Sequence, residues 1–227
     1  MRKILIILLV VAVSLQMVTF AYAVKRVVKE NDEFHMPATS VSQVKTTEKN
    51  ESLPVNIKAK SAVLMDVATG EILLEYNPDK KLFPASVTKI MTILLVAEAI
   101  DSKKITLADK VACSANAASK GGSQIWLEEG EVMTVDELLR ATVIGSANDA
   151  ATLLGEYISG SEEAFITFMN VRAKELGMKN TSFVNATGLD DTTDTHLTTA
   201  RDIAIMSCEL LKHDFITEYT TVWMDSL

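Results

Sequence analysis

The amino-acid sequence predicts an α+β domain in which one antiparallel hairpin precedes a cluster of helices. Two short apolar runs, residues 61–66 and 71–76, flank a turn that contains Gly70, which is the pattern of a β-hairpin. After them, apolar residues recur at three- and four-residue steps in several segments, as in helices that bury one face. Strands followed by a run of helices favour an α+β arrangement over an alternating one.

The beginning of the chain is not expected to belong to this domain. A positively charged start, an apolar run over residues 4–13 and a small-x-small site at residues 21–23 predict a secretory signal peptide over residues 1–23. The protein is therefore expected to be exported, and an uncleaved N-terminal anchor is the alternative. Residues 24–58 are polar and lack a sustained period, so we expect a flexible lead. Residues 59–227 then form the folded domain.

Composition excludes several classes of function. The chain of 227 residues has 30 acidic and 22 basic residues and a formal net charge of −8, so no basic surface is expected to bind nucleic acid. Cys113 and Cys208 either pair in an oxidising compartment or remain buried thiols. His35, His196 and His213 are scattered and are expected at the surface. No metal-ligating pattern is present, and no cofactor is predicted.

The helix predicted over residues 86–100 carries the first candidate site. Ser86 lies in its first turn, and Lys89, three residues later, lies on the same face. A serine hydroxyl becomes a nucleophile when a neighbouring base takes its proton, and a lysine can do so if burial keeps it neutral. The spacing alone is weak evidence, because Ser42 and Lys45 have the same spacing in a polar tract.

A second candidate site is the short turn Ser146-Ala147-Asn148 between two predicted helices. Its hydroxyl and amide are suited to relay a proton and to orient a substrate amide. The tripeptide Ser114-Ala115-Asn116 repeats it, and Ser and Asn are common at helix ends without any catalytic role. The positions of the two tripeptides in the sequence only weakly favour one over the other as a site.

The remaining elements follow from helix caps and glycines. Residues 105–130 are expected to be irregular, with a loop at Gly121-Gly122 and with Trp126 as an apolar anchor. Four helices are predicted after them: one from a capping box of Thr134 and Glu137 to Gly145, one through residues 150–157, one from Ser161 to Gly177, and one from Thr199 to about Lys212.

Taken together, these residues resemble the penicillin-binding D-alanyl-D-alanine carboxypeptidases, low-molecular-mass relatives of the serine β-lactamases. The resemblance extends from about Lys60 to Trp223. Because several motifs match in order, it favours Ser86 and Ser146 over the two repeated patterns. The matching segments are residues 66–73, 84–92, 145–150, 176–181 with Phe183, 188–190 and 199–202.

The resemblance implies a fold and a mechanism. The fold would be β-lactamase/transpeptidase-like, with a helical cluster packed against an antiparallel sheet. Ser86 would attack the terminal D-Ala-D-Ala bond of a peptidoglycan stem peptide, with Lys89 as its base. Ser146 would pass a proton to the departing D-alanine, and Asn148 would hold Lys89 and the substrate amide. β-Lactams would acylate Ser86 as covalent inhibitors.

The chain departs from the family pattern in one element. The family has a Lys-Thr-Gly or Lys-Ser-Gly strand that walls the cleft, and no such tripeptide occurs in these 227 residues. We therefore expect that the sequence is truncated before this motif. The C-terminal strands of the sheet would then be missing, and the chain ending at Leu227 would have little activity. Membrane association through a missing C-terminal segment is a further expectation.

Two other functions remain open at this point. A serine β-lactamase-like hydrolase would share the Ser-x-x-Lys motif, but the class A enzymes use a glutamate to activate the deacylating water, and residues 179–189 contain none. A non-catalytic cell-wall binding fragment would have no reason to keep Ser86, Lys89, Ser146 and Asn148 together.

Overall fold

Two antiparallel strands, β1 (Ala62–Met65) and β2 (Ile72–Tyr76), form the predicted hairpin. The computed structural model describes residues 58–189 and 193–222, within a compact unit that spans Val55–Leu227. The predicted signal peptide and nearly all of the predicted lead lie outside the described residues. In the hairpin turn, the Asp66 carboxylate accepts hydrogen bonds from the N–H and the hydroxyl of Thr69, each at 2.8 Å.

Helices form most of the rest of the described domain, which confirms the α+β prediction. A 3₁₀ turn, Ala85–Thr88, leads into the first α-helix. None of the described helices has both the length and the apolar character to cross a membrane. The α-helices are α1 (Lys89–Asp101), α2 (Ala115–Ala118), α3 (Val135–Ile144), α4 (Asn148–Ser159), α5 (Glu162–Glu175), α6 (Ala200–Leu210) and α7 (Thr217–Thr220).

Helix α1 lies at the centre of the core and packs against α3, α4, α5 and α6. Its apolar side chains are buried on nearly every side, and Met91, Leu94, Val96 and Ala97 are fully inaccessible to solvent. A helix that is apolar all round is typical of a buried central element. This burial fixes the position of the residues that begin the helix.

The predicted helix boundaries agree with the caps. Thr134 and Glu137 form the capping box of α3, and the helix ends at Gly145. Ser161 and Thr199 accept hydrogen bonds from backbone N–H groups at the starts of α5 and α6. Each cap satisfies donors that the first turn of a helix leaves without partners.

The prediction of an irregular segment over residues 105–130 was wrong in part. Strand β3 (Lys110–Ala112) pairs with β4 (Val132–Thr134) in a second antiparallel sheet, and α2 lies between them. Strands of three residues are too short to show an alternating pattern, and their pairing joins residues about twenty apart in sequence.

Two side chains are placed differently from expectation. His196 is buried, with 2% of its surface exposed, and packs edge-to-face against Phe183. The antiparallel bridge between Ser182 and Leu197 brings the two aromatic rings together. Trp126 is not a buried anchor, because 77% of its surface is exposed. Both described cysteines are free thiols.

Candidate active site

Three of the four predicted site residues meet at the beginning of α1. The Lys89 Nζ lies 3.4 Å from the Ser86 Oγ and 3.3 Å from the Ser146 Oγ. Lys89 is buried, with 3% of its surface exposed, while Ser86 is exposed to solvent. A buried amine thus bridges two hydroxyls, one of which an external substrate can reach.

The backbone next to each serine adopts a left-handed conformation. Ala85, just before Ser86, has a φ of 47°, and Ser146 itself has a φ of 53°. This region costs a residue with a side chain about 1–2 kcal/mol. Strain of this kind persists where surrounding contacts fix the backbone, and it is frequent at functional sites. Here it coincides with both hydroxyls that face Lys89.

Burial changes the protonation of Lys89. Removal of the ammonium from water lowers the pKa of Lys89 to about 8. About a tenth of the side chains would then be neutral one pH unit below that value. The site can therefore supply a free amine near neutral pH, as activation of a serine without histidine requires.

A backbone carbonyl that the sequence analysis missed completes the surroundings of the amine. Lys89 Nζ donates a hydrogen bond to the Thr187 carbonyl oxygen at 3.1 Å. Since a carbonyl can only accept, one N–H of a neutral amine points to it, and the lone pair is left to the two hydroxyls. A backbone group leaves no signal in side-chain identity, so no motif could have revealed it.

Asn185 shapes the turn that presents this carbonyl. Its Oδ1 accepts hydrogen bonds from the N–H groups of Thr187 at 3.1 Å and Gly188 at 2.6 Å. Its Nδ2 donates to the Leu189 carbonyl at 3.1 Å. One side chain thus binds three consecutive backbone positions, and this network fixes the direction of the Thr187 carbonyl.

We expect Asn185→Ala to slow acylation of Ser86 roughly 10-fold to 100-fold, because the Thr187 carbonyl would no longer orient the Lys89 amine. The measurement is the rate constant for acylation by benzylpenicillin at several pH values. The concentration of active protein is taken from the number of sites that finally react. The acid limb of the pH profile should shift relative to the unmodified protein.

The matched control for this variant is Asn170→Ala. Asn170 binds both backbone groups of Phe183, at 2.8 and 2.9 Å, and so anchors the start of the same segment. Its loss should lower the unfolding midpoint but leave the normalised acylation rate and the pH profile unchanged. Equal kinetic effects in the two variants would mean that Asn185 acts only through folding.

Asn148 contacts a neighbouring loop, and the expected contact with Lys89 is not among its hydrogen bonds in the described part of the chain. Its Nδ2 donates to the Gly121 carbonyl and its backbone N–H donates to the Ser123 carbonyl, both at 2.7 Å. Its Oδ1 accepts no hydrogen bond from the described residues. The amide oxygen can therefore receive an N–H group from a ligand.

A buried contact supports the turn that holds Ser86. The His196 Nε2 lies 2.8 Å from the Thr88 Oγ1, and Thr88 is fully buried between Ser86 and α1. The repeated tripeptide lies elsewhere: Ser114 caps α2 and donates to Glu156, and Asn116 also binds Glu156. Those contacts are structural, while the pair Ser42 and Lys45 lies outside the described residues.

A cavity of about 320 Å³ adjoins the amine. Ser86, Lys89 and Ser146 line one part of it, and apolar side chains such as Ile93 and Leu210 line another. Cavities of this size and composition accommodate small ligands.

Comparison with known proteins places this arrangement in a family. The profile described as D-alanyl-D-alanine carboxypeptidase, peptidase S11, matches residues 43–227. The chain is 54% identical to D-alanyl-D-alanine carboxypeptidase DacF of Bacillus subtilis over 170 residues. This aligned region covers 75% of this chain and 43% of that protein. The chain thus spans less than half the length of this relative.

Solved structures agree with this assignment. Penicillin-binding protein 6B of Escherichia coli is 37% identical, with a TM-score of 0.66, over 70% of this chain and 51% of that one. Penicillin-binding protein D2 of Listeria monocytogenes, in an ampicillin-bound form, is 32% identical, with a TM-score of 0.64, over 74% and 68%. The described domain therefore has the fold of the penicillin-binding proteins, as the sequence analysis expected.

Proposed function

The chain belongs to the D-alanyl-D-alanine carboxypeptidase family, and on that premise we propose that the protein removes the terminal D-alanine from peptidoglycan pentapeptides. The observation that carries the proposal is the buried Lys89 amine, which lies within 3.4 Å of both Ser86 and Ser146. Its substrate is a stem peptide that ends in D-Ala-D-Ala.

The first half of the reaction forms an ester on Ser86. Neutral Lys89 takes the proton of the Ser86 hydroxyl as its oxygen attacks the carbonyl carbon of the scissile bond. The backbone N–H of Ser86 contributes to binding of the developing oxyanion. Ser146, which also lies next to the Lys89 amine, passes that proton to the nitrogen of D-alanine as the C–N bond breaks.

The second half of the reaction releases the shortened peptide. Water attacks the ester carbonyl and gives a proton to the Lys89 amine. The bond between the carbonyl carbon and the Ser86 oxygen then breaks, and Lys89 returns this proton to Ser86, which leaves the shortened peptide with a new carboxyl group. The Asn148 amide oxygen, free of described partners, binds a substrate N–H and so orients the peptide. A β-lactam acylates Ser86 in the same way, which agrees with the ampicillin-bound form of a similar protein.

The proposed place of action is the extracytoplasmic side of a bacterial membrane. Peptidoglycan stem peptides are exposed there, and the pattern over residues 1–23 is that of an export signal. Association with the membrane through a C-terminal segment outside the given residues is part of the proposal.

The test is covalent labelling of the natural full-length protein with benzylpenicillin. We expect one adduct by intact mass and release of D-alanine from Nα,Nε-diacetyl-L-Lys-D-Ala-D-Ala. Ser86→Ala should abolish the adduct and lower turnover by at least roughly 10³-fold, because the nucleophile is lost. Ser42→Ala, which changes the other Ser-x-x-Lys pattern, should leave both unchanged.

Three results would contradict the proposal. Labelling that persists in Ser86→Ala would exclude Ser86 as the nucleophile. Rapid hydrolysis of penicillin would favour a β-lactamase, although residues 179–189 contain no glutamate to activate the deacylating water. Binding of peptidoglycan without an adduct or D-alanine release would indicate a non-catalytic wall-binding protein.

A further inference from the structure

The loop of residues 121–127 is attached directly to the first two residues of α4. Asn148 binds the carbonyls of Gly121 and Ser123, as described above. The buried Asp149 carboxylate accepts hydrogen bonds from the N–H groups of Ile125 and Leu127, each at 3.1 Å through its Oδ2. The first two residues of α4 therefore fix both halves of this loop.

Trp126 occupies the outermost position of the fixed loop. Its neighbours on both sides are bound to Asp149, while its own backbone has a φ of 65°. Its side chain is 77% exposed and makes no hydrogen bond or ring contact with the described residues. A large apolar ring is thus held in solvent on strained but well-anchored backbone, and strain of this kind is frequent at functional sites.

The position of the loop limits which ligand can reach the indole. Three residues separate Ser146 from Asp149 along the chain, a span of about 11 Å at most. Ser123, which binds Asn148, is three residues before Trp126, so the Cα atoms of Ser123 and Trp126 also lie within about 11 Å. Trp126 therefore belongs to the loop that borders Asn148, the residue proposed to bind the substrate backbone. A substrate ending in D-Ala-D-Ala occupies the site itself with those two residues, so the residue before them is the next part of the ligand.

We propose that Trp126 determines specificity by packing against the aliphatic side chain of the residue that precedes D-Ala-D-Ala. The inference rests on the proposed function and adds a contact outside the reacting groups. A flat indole suits a chain of methylene groups, because it offers a large contact area with little loss of side-chain freedom. The Asn148 amide, which fixes the same loop, would orient the adjacent substrate backbone.

Two matched peptides test this contact in the natural full-length protein: Nα,Nε-diacetyl-L-Lys-D-Ala-D-Ala and N-acetyl-Gly-D-Ala-D-Ala. Trp126→Ala should lower kcat/KM for the Lys peptide about 10-fold, the usual scale for loss of a few buried methylene contacts. It should change kcat/KM for the Gly peptide less than about twofold, because that peptide lacks the side chain. Trp126→Phe should retain most of the preference for Lys.

Leu73→Ala is the control for loss of an exposed apolar side chain, since Leu73 is 59% exposed on the hairpin. It should leave the ratio of the two kcat/KM values unchanged. Equal losses on both peptides in Trp126→Ala, or no loss on the Lys peptide, would overturn the inference while the proposed function stands. A wild-type protein that neither cleaves these peptides nor reacts with benzylpenicillin would overturn both.

Discussion

Lys89→Met is expected to slow acylation of Ser86 by roughly 10³-fold, within the range that general base catalysis supplies. Methionine has nearly the same apolar stem as lysine and lacks only the terminal nitrogen, so the substitution removes the amine without opening a large cavity. The loss follows from geometry, because this amine is the group that contacts both hydroxyls and the Thr187 carbonyl. The measurement is the second-order rate constant for acylation by benzylpenicillin.

The unmodified protein should show the ionisation of this amine in its pH profile. Burial lowers the pKa of Lys89 to about 8. Below that pH the acylation rate should rise about tenfold per pH unit as the neutral form increases, and above it the rate should level off. In Lys89→Met the residual acylation rate should lack this rise with pH.

The same burial that favours catalysis lowers the stability of the folded protein. The folded protein disfavours the ammonium, since the pKa of Lys89 falls from 10.5 in an exposed lysine to about 8. The penalty is fully present below pH 8, and it disappears as the pH rises through 10.5. Lys89→Met should therefore unfold at a higher temperature than the unmodified protein at neutral pH, and this advantage should shrink at alkaline pH.

A suitable control is Lys104→Met. Lys104 also donates to a backbone carbonyl, that of Ile158 at 2.6 Å, but it lies outside the site. Its replacement should leave the acylation rate and the pH profile unchanged. A pH limb near 8 that persists without Lys89 would assign the ionisation to another group and would exclude Lys89 as the base.

Local signals in the sequence predicted most of the elements that position the site. The caps at Thr134, Ser161 and Thr199 satisfy the N–H groups of their own helices, so neighbouring residues suffice to identify them. Ser86 and Lys89 are three residues apart on one turn, which makes their contact a local property as well. The contact with Ser146 required the resemblance to a family, because 57 residues separate it from Lys89.

The missed features depend on contacts that sequence does not encode locally. His196 is buried because its ring meets Thr88, which lies 108 residues earlier in the chain. Trp126 is exposed between two residues whose N–H groups donate to Asp149, which lies more than twenty residues later in the chain. The turn at Asn185 acts through a backbone carbonyl, and a carbonyl has no residue identity.

Gly188→Ala is expected to produce the largest loss of stability, at least about 3 kcal/mol, because it combines a steric collision with backbone strain. A Cβ at this position would lie 1.7 Å from the Ala85 carbonyl oxygen and 2.7 Å from the Thr88 Oγ1. The φ of Gly188 is 80°, a conformation that residues with a side chain rarely adopt. The measurement is the free energy of unfolding in urea.

Gly177→Ala separates the two causes. Gly177 has a φ of 77°, nearly that of Gly188, but a Cβ there would meet nothing within 4 Å. It should lose only about 1–2 kcal/mol, the cost of the left-handed conformation alone. Similar losses of stability in the two variants would show that the backbone segments at Ala85 and Gly188 move apart without a further energetic cost.

The same collision should reach the chemistry of the site. Ala85 precedes Ser86, and Gly188 follows Thr187, so this close contact joins the two backbone segments that hold the hydroxyl and the carbonyl around Lys89. Separating them by even 1 Å would lengthen one of the hydrogen bonds of the amine, and an error of that size can cost about 100-fold in rate. The folded fraction of Gly188→Ala should therefore acylate slowly, while Gly177→Ala should acylate at the normal rate. If Gly188→Ala reacted normally once folded, the close contact would serve stability alone.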